Sequence, residues 1–296
     1  MPVLGQNQYG KAQVRLVRVA RATRTHRLTD LTVSVALSGT LDDAHLVGSN
    51  ASVLPTDSIK NTVYVLARER GVASPESFAA ELATHFVASQ RPVRRAVVDV
   101  EEHLWERLGD HSFARSGRET RTARVCREGG RSEVLSGLTG LTLLNTTDSE
   151  FHGFATDPYT TLAETTDRVL ATEVTARWRH RAERPEEIAE TDWNAAYADA
   201  RRRLLAAFAG TYSYSLQQTL YAMGSAVIED LPGVLEIRLS LPNKHHFLVD
   251  LSPFGVENGT GDGAVYLAAD RPFGLIEATV LREGAEERIP TGPAGP

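Results

Sequence analysis

One order of predicted elements occurs twice along this chain, and that repetition constrains the fold more than any single motif. Gln13–Ala22 and Leu31–Ser38 read as strands, the second alternating Leu31, Val33, Val35 and Leu37 on one face. A helix follows over Ser58–Arg70, with Ile59, Val63 and Leu66 on one side. A second opens at Ser74-Pro75, a capping residue followed by proline at the first helical position, and carries Phe78, Leu82 and Phe86. Strands return at Val93–Trp105 and Thr120–Arg127. The second half gives strands at Val134–Asn145 and Thr172–Arg179, then helices at Trp193–Phe208 and Leu216–Ile228. The last of these shows a stripe of Leu216, Leu220, Met223 and Val227, and strands follow at Val234–Leu241 and Phe247–Leu251.

The expected fold class is therefore α+β, in two tandem domains at residues 1–137 and 138–296. Each is an antiparallel four-stranded sheet with two helices on one face (ββααββ), and the Glu-, Gly- and Pro-rich tail after about residue 282 is expected to be loose. The halves share no evident sequence identity, so this rests on pattern. A sheet with helices on one face leaves the other face to be covered, and association around an axis with sheets inward would cover it.

A chain of 296 residues with 42% hydrophobic and 24% charged residues can bury the cores this requires. Its net charge of −6 argues against a general nucleic-acid binder, which needs a basic face, but leaves room for a small anion in a local basic pocket. Cys126 is the single cysteine, so an intrachain disulfide is impossible and a thiolate metal cluster is disfavoured. The N-terminal MPVLGQNQYGK has no apolar signal core, no run approaches membrane-spanning length, and GPAGP is not a peroxisomal address. These point to a bacterial-type cytoplasm, where the sequons at Asn50, Asn145 and Asn258 are chance matches. Only three of the 32 basic residues are lysine: Lys11, Lys60 and Lys244. Codon bias accounts for the general preference for arginine but not for these three. Arginine keeps its proton and a partly buried lysine can lose it, so a proton-carrying lysine would resist replacement.

Several segments resemble the urate oxidase family, and they occur in that family's order over nearly the whole chain. They are Tyr9-Gly10-Lys11, Thr56-Asp57-Ser58-Ile59-Lys60-Asn61-Thr62, Phe151-His152-Gly153-Phe154, Tyr159-Thr160-Thr161-Leu162 through Asp167-Arg168, Gln217 in SLQQTLY, and Leu241-Pro242-Asn243-Lys244-His245. TDSIKNT and LPNKH together are specific, whereas YGK or FxGF alone would be weak. The resemblance implies the tunnelling fold: tandem domains of the kind read above, assembled as a homotetramer whose sheets form a barrel around a central tunnel. It also implies an oxidoreductase that converts urate, O₂ and water to 5-hydroxyisourate and hydrogen peroxide in purine degradation, with no metal or organic cofactor.

Each candidate residue has an ordinary reading beside the functional one. Thr56, Asp57 and Ser58 open a helix, and capping is the ordinary reading. The same backbone N–H groups attract an anion, and urate is anionic at neutral pH. The resemblance adds Thr56 to the oxygen side of the site and to a proton relay. Lys11 begins a strand; its ordinary reading is a solvated charge, but desolvation at a contact would suit it to act as a base through the Thr56 hydroxyl, the role the resemblance assigns. Lys244, His245 and His246 invite a metal reading, but adjacent strand residues point to opposite faces and no third ligand has suitable spacing. His245 alone matches the family, as a relay partner; His246 stands where the family carries Tyr and is read as structural.

Arg168 and Gln217 are ordinary apart. Together they offer a bidentate guanidinium for a carbonyl and its neighbouring ring nitrogen, and an amide with one donor and one acceptor for the opposite edge. A purine trione needs that mixture. Phe151 is either core or a platform for a flat ring. Asn243 would hold oxygen or water above the ring with Thr56, and Leu216, where the family often has Val, would offer its backbone. Two rivals remain open: a purine- or pterin-converting relative on the same fold, whose zinc-dependent members need more cysteine than this chain has, and a non-catalytic binding protein that kept the pocket.

Overall fold

The computed structural model describes residues 1–117 and 119–291. In chain order the elements are β1 (Tyr9–Ala20), β2 (Arg27–Gly39), α1 (Asp42–Leu46), α2 (Thr56–Glu69), α3 (Pro75–Ser89), β3 (Val93–Glu102), β4 (Trp105–Arg107), β5 (Phe113–Arg115) and β6 (Thr120–Glu128). They continue as β7 (Arg131–Asn145), β8 (Leu170–His180), α4 (Pro185–Glu190), α5 (Trp193–Gly210), α6 (Leu216–Asp230), β9 (Val234–Leu248) and β10 (Tyr266–Leu281). Hydrogen bonds order the long strands β1-β2-β3-β6-β7-β8-β9-β10, and β4 pairs with β5 separately. The pairs β1/β2, β2/β3, β3/β6 and β9/β10 are antiparallel. The protein is thus mixed α+β with one large antiparallel sheet.

Two compact units divide the chain. The first takes Met1–Leu138 with Arg177–Ala198 and Gly233–Leu235; the second takes Thr139–Ala176, Asp199–Pro232 and the described residues from Glu236 onward.

In the first unit, alternation in β2 buries Leu31, Val33, Val35 and Leu37 against the apolar faces of α2 (Ile59, Val63, Leu66) and α3 (Phe78, Leu82, Phe86). Ser74 caps α3 through the Ser77 N–H at 3.1 Å, and the Ser77 hydroxyl reciprocates on the Ser74 N–H, with Pro75 opening the helix. A buried polar network lies in the same unit. The Ser136 hydroxyl donates to Glu76 at 2.6 Å, so the His180 Nε2–H donates to Ser136 at 2.9 Å. Arg121 meets the other Glu76 oxygen at 2.6 Å. Burial, with Arg121 adding to it, drives the His180 pKa down to about 3.

In the second unit, the α6 stripe of Leu216, Leu220, Met223 and Val227 is buried, and α6 packs on β10. Gly224 permits that approach, since a Cβ there would lie 2.5 Å from the Val280 side chain.

Three sequence expectations need correction. Val234–Leu241 and Phe247–Leu251 are not two strands: a single strand, β9, runs from Val234 to Leu248 through the intervening residues. Its partner is β10, to which the sequence reading assigned no strand. The run Val93–Trp105 breaks after Glu102, and Trp105 begins the short β4/β5 hairpin. Within the tail expected to be loose, the Arg288 and Ile289 N–H groups donate to Glu236 at 3.0 and 2.8 Å, and Ile289 is 2% exposed. Residues 292–296 of that tail lie outside the described residues.

Candidate functional site

Lys11, Thr56 and Asp57 belong to the first unit. Gly10 sits so close to β2 that a Cβ would fall 1.8 Å from the Val35 carbonyl oxygen, so only glycine fits before Lys11. The β1/β2 register then shifts between Lys11 and Val14, where Gln13 takes a φ of 57° and its N–H bonds the Ser34 hydroxyl at 3.0 Å. The Leu54 N–H donates to the Tyr9 hydroxyl at 2.8 Å, which fastens the strand carrying Lys11 to the segment leading into α2. Burial raises the Tyr9 pKa above its ordinary value.

At α2 the capping reading is corrected. Pro55 is the N-cap, no side chain caps the helix, and Thr56 is its first residue. The Asp57 carboxylate instead faces along the helix to Lys60 Nζ at 2.5 Å and Asn61 Nδ2 at 3.0 Å. The hydrogen bond and charge of Lys60 hold the Asp57 pKa below the usual carboxylate range. The first turn of α2 therefore keeps its positive end free of side-chain capping.

Phe151, Arg168, Leu216, Gln217, Asn243 and His245 belong to the second unit. Arg168 is half-buried, and its Nε–H donates to the Ser149 hydroxyl at 3.1 Å. Its guanidinium lies over the Phe151 ring, 5.3 Å from the centroid. Burial lowers the Arg168 pKa from its ordinary value. Among the described residues it has no carboxylate partner. Phe151 also stacks on Phe154, with centroids 5.0 Å apart and planes 14° from parallel, and its backbone bridges to Thr165. A desolvated cation without a counter-ion, beside a flat aromatic pair, is an arrangement completed by a planar anion.

His245 lies in β9, and its pKa is depressed first by burial, then by the Arg168 and His246 charges. The neutral imidazole is thereby favoured and can accept a proton at neutral pH. Lys244 reaches Glu173 at 2.7 Å, and the His246 Nδ1 is 3.1 Å from the Lys244 carbonyl. His246 thus takes a local backbone contact. Asn243 pairs with Gly274, beside the point where the β9/β10 register shifts. Leu216 is buried and Gln217 exposed in the first turn of α6.

Arg168 lies over Phe151 and its charge reaches His245, and Lys11 lies near enough to Asp57 for its charge to be felt there. Sequence reasoning gave no role to Ser149 or Tyr9. Tyr9 at least lay inside a recognised motif, whereas nothing in the local sequence marked Ser149. Among the described residues, no three His, Cys, Asp or Glu side chains gather as a metal-binding group.

The profile of a family described as Uricase matches residues 7–126 and 134–277. The chain is 50% identical over 290 residues to the uricase of Arthrobacter globiformis, covering 97% of this chain and 93% of that protein. It is 35% identical over 297 residues to the uricase of Aspergillus flavus, covering 95% and 98%. The crystal structure of the Arthrobacter globiformis uricase superposes with a TM-score of 0.92 at 50% identity, covering 98% of each chain.

Proposed function

The chain belongs to the uricase family and is a urate oxidase, and on that premise we propose how its residues divide the work. Urate is electron-rich once deprotonated, and removing a second proton makes it a reductant able to pass electrons to O₂. The substrate then supplies the redox chemistry that an organic cofactor or a metal supplies elsewhere. Urate, O₂ and water become 5-hydroxyisourate and hydrogen peroxide: two electrons leave the purine, O₂ takes them with two protons, and the hydroxyl from water is retained at C5.

Arg168 grips one edge of the ring through a carbonyl and an adjacent nitrogen, Gln217 and the Leu216 backbone take the opposite edge, and Phe151 carries the flat face. The Asp57 backbone at the uncapped start of α2 adds a donor for the anion. Lys11, Thr56 and His245 move protons, and Asn243 with Thr56 holds O₂ or water above the ring. The observation that carries this reading is Arg168, a half-buried cation set over Phe151 and beside neutral-leaning His245, with no carboxylate to answer it among the described residues.

The larger frame is proposed in the same way. Each half of the element order is a ββααββ unit of the tunnelling fold, four chains associate around a tunnel, and each site is completed at a subunit contact. The exposed apolar side chains Phe247, Leu267 and Leu275 of the second unit fit a surface that another chain covers. The test is loss of urate absorbance with matched O₂ uptake and peroxide release, on protein treated exhaustively with chelator. Full activity is expected. Stoichiometric copper, iron or flavin that tracks with activity would overturn the cofactor-free mechanism.

A further inference from the structure

Ser149 is fully buried, and it accepts two hydrogen bonds from a single residue. Its carbonyl oxygen takes the Arg168 backbone N–H at 2.9 Å and its hydroxyl takes the Arg168 Nε–H at 3.1 Å. Fixing the backbone and Nε together fixes the plane of the guanidinium and leaves its two-nitrogen edge as the presented face. The same serine bridges to Ser213. The Glu150 N–H donates to the Ser213 carbonyl and the Ser213 N–H to the Asp148 carbonyl, both at 2.8 Å. Ser213 in turn leads into α6: its hydroxyl receives the Thr219 hydroxyl at 2.8 Å and donates to the Ser215 carbonyl at 3.2 Å, and Ser215 caps that helix. The backbone of Asp148 and Glu150, on either side of Ser149, therefore joins the segment holding Arg168 to the start of the helix holding Leu216 and Gln217.

We propose that Ser149 is the positioning residue of the urate clamp: its hydroxyl and carbonyl together set the guanidinium plane of Arg168. This rests on the clamp reading above. Ser149 acts only through Arg168. Removing its hydroxyl leaves Nε without an acceptor and frees the guanidinium to turn off the Phe151 face. Binding should suffer, while proton transfer at Lys11, Thr56 and His245 should not.

The test is a double-mutant cycle on the full-length oligomer, with Ser149→Ala, Arg168→Ala and the double variant. Steady-state urate kinetics are measured alongside calorimetric binding of xanthine, a purine that lacks the oxygen on C8. Ser149→Ala should raise KM and the xanthine Kd about tenfold, the low end for losing a hydrogen bond to a charged group, with kcat within about twofold. In the Arg168→Ala background, Ser149→Ala should add nothing. If Ser149→Ala does not fold, Ser149→Cys keeps the shape, weakens the acceptor and should show the same rise. A fall in kcat at unchanged KM, unchanged binding, or a full tenfold effect without Arg168 would each overturn the positioning role. If Arg168→Ala itself leaves xanthine binding intact, the clamp reading falls instead, and the two failures are told apart.

Discussion

Lys60 and Lys244 hold carboxylates, at 2.5 Å to Asp57 and 2.7 Å to Glu173, whereas Lys11 has no salt-bridge partner among the described residues. The scarcity of lysine singled out all three side chains, and the structure separates them: two have ion-pair duties, and the third sits at a bulge with its ammonium unclaimed. Lys11→Met should lower kcat at least ~100-fold, the lower range for losing a general base, and leave xanthine binding largely intact. Arg168→Ala should do the reverse, and calorimetry with steady-state kinetics distinguishes the two patterns. The Arg168 charge also disfavours the His245 imidazolium. Arg168→Gln should therefore move the His245 pKa upward, toward the ordinary histidine value, in an NMR titration of its ring protons. A shift downward, or none, would show that the two groups are not in electrostatic contact. The sequence singles out Arg168, Phe151 and His245 because the family motifs contain them, and their use as a purine site is the proposal above. Ser149 was not legible. Its proposed role depends on a residue 19 positions away, and no local pattern encodes a contact made only after the chain returns.

Periodicity located the elements whose apolar faces are one-sided and hid those that lack such a face. β2, α2, α3 and α6 bury the residues their spacing predicts. Pro242 has no N–H for a ladder and so reads as a strand end, yet it pairs opposite Leu275 inside the long strand β9. β10 carries Pro272 and Gly274 and shifts register between Ala269 and Gly274, so it offers no clean alternation. At the other end of the chain, Gly10 fixes how β1 meets β2. The oxygen that a Cβ would strike belongs to the backbone of Val35 and cannot rotate away. Gly10→Ala should cost about 1–3 kcal/mol of stability, as overpacking does, and reduce turnover because Lys11 is carried on the same turn of strand. Gly130→Ala, with nothing within 4 Å of the new methyl, serves as control and should change stability by less than about 0.5 kcal/mol. Equal melting temperatures for the two variants would show that β1 can be displaced freely.

For the molecule as a whole, two consequences reach beyond any one element. The first is acid sensitivity. His180 is neutral in the folded state down to about pH 3 and takes up its proton near 6.5 once unfolded. Between those values the unfolded chain binds the extra proton, so stability falls as pH drops through that window, by about 1.4 kcal/mol per pH unit. His180→Gln should remove one proton from the slope of unfolding free energy against pH between 4 and 6; an unchanged slope would clear His180. The second is the division of the proposed site between chains. Lys11, Thr56 and Asp57 lie in one unit and Arg168, Gln217 and Phe151 in the other. A two-fold contact sets residue i of one chain against residue j of its neighbour twice over, so two unlike sets carried on one chain can meet across it. If Thr56 and Asp57 of one subunit meet Arg168 of its neighbour, then Thr56→Ala and Arg168→Ala, each nearly inactive alone at urate well below KM, should complement each other. In a mixed pair, one site receives both defects and the other receives none. Random association makes about half the pairs mixed, so roughly a quarter of full activity should return under two-fold symmetry. The two variants are co-expressed, or unfolded and refolded together, and assayed for urate loss while mass spectrometry counts the mixed oligomers. Background activity in a sample shown to contain mixed oligomers would place the whole site within one chain and remove the interface from the mechanism.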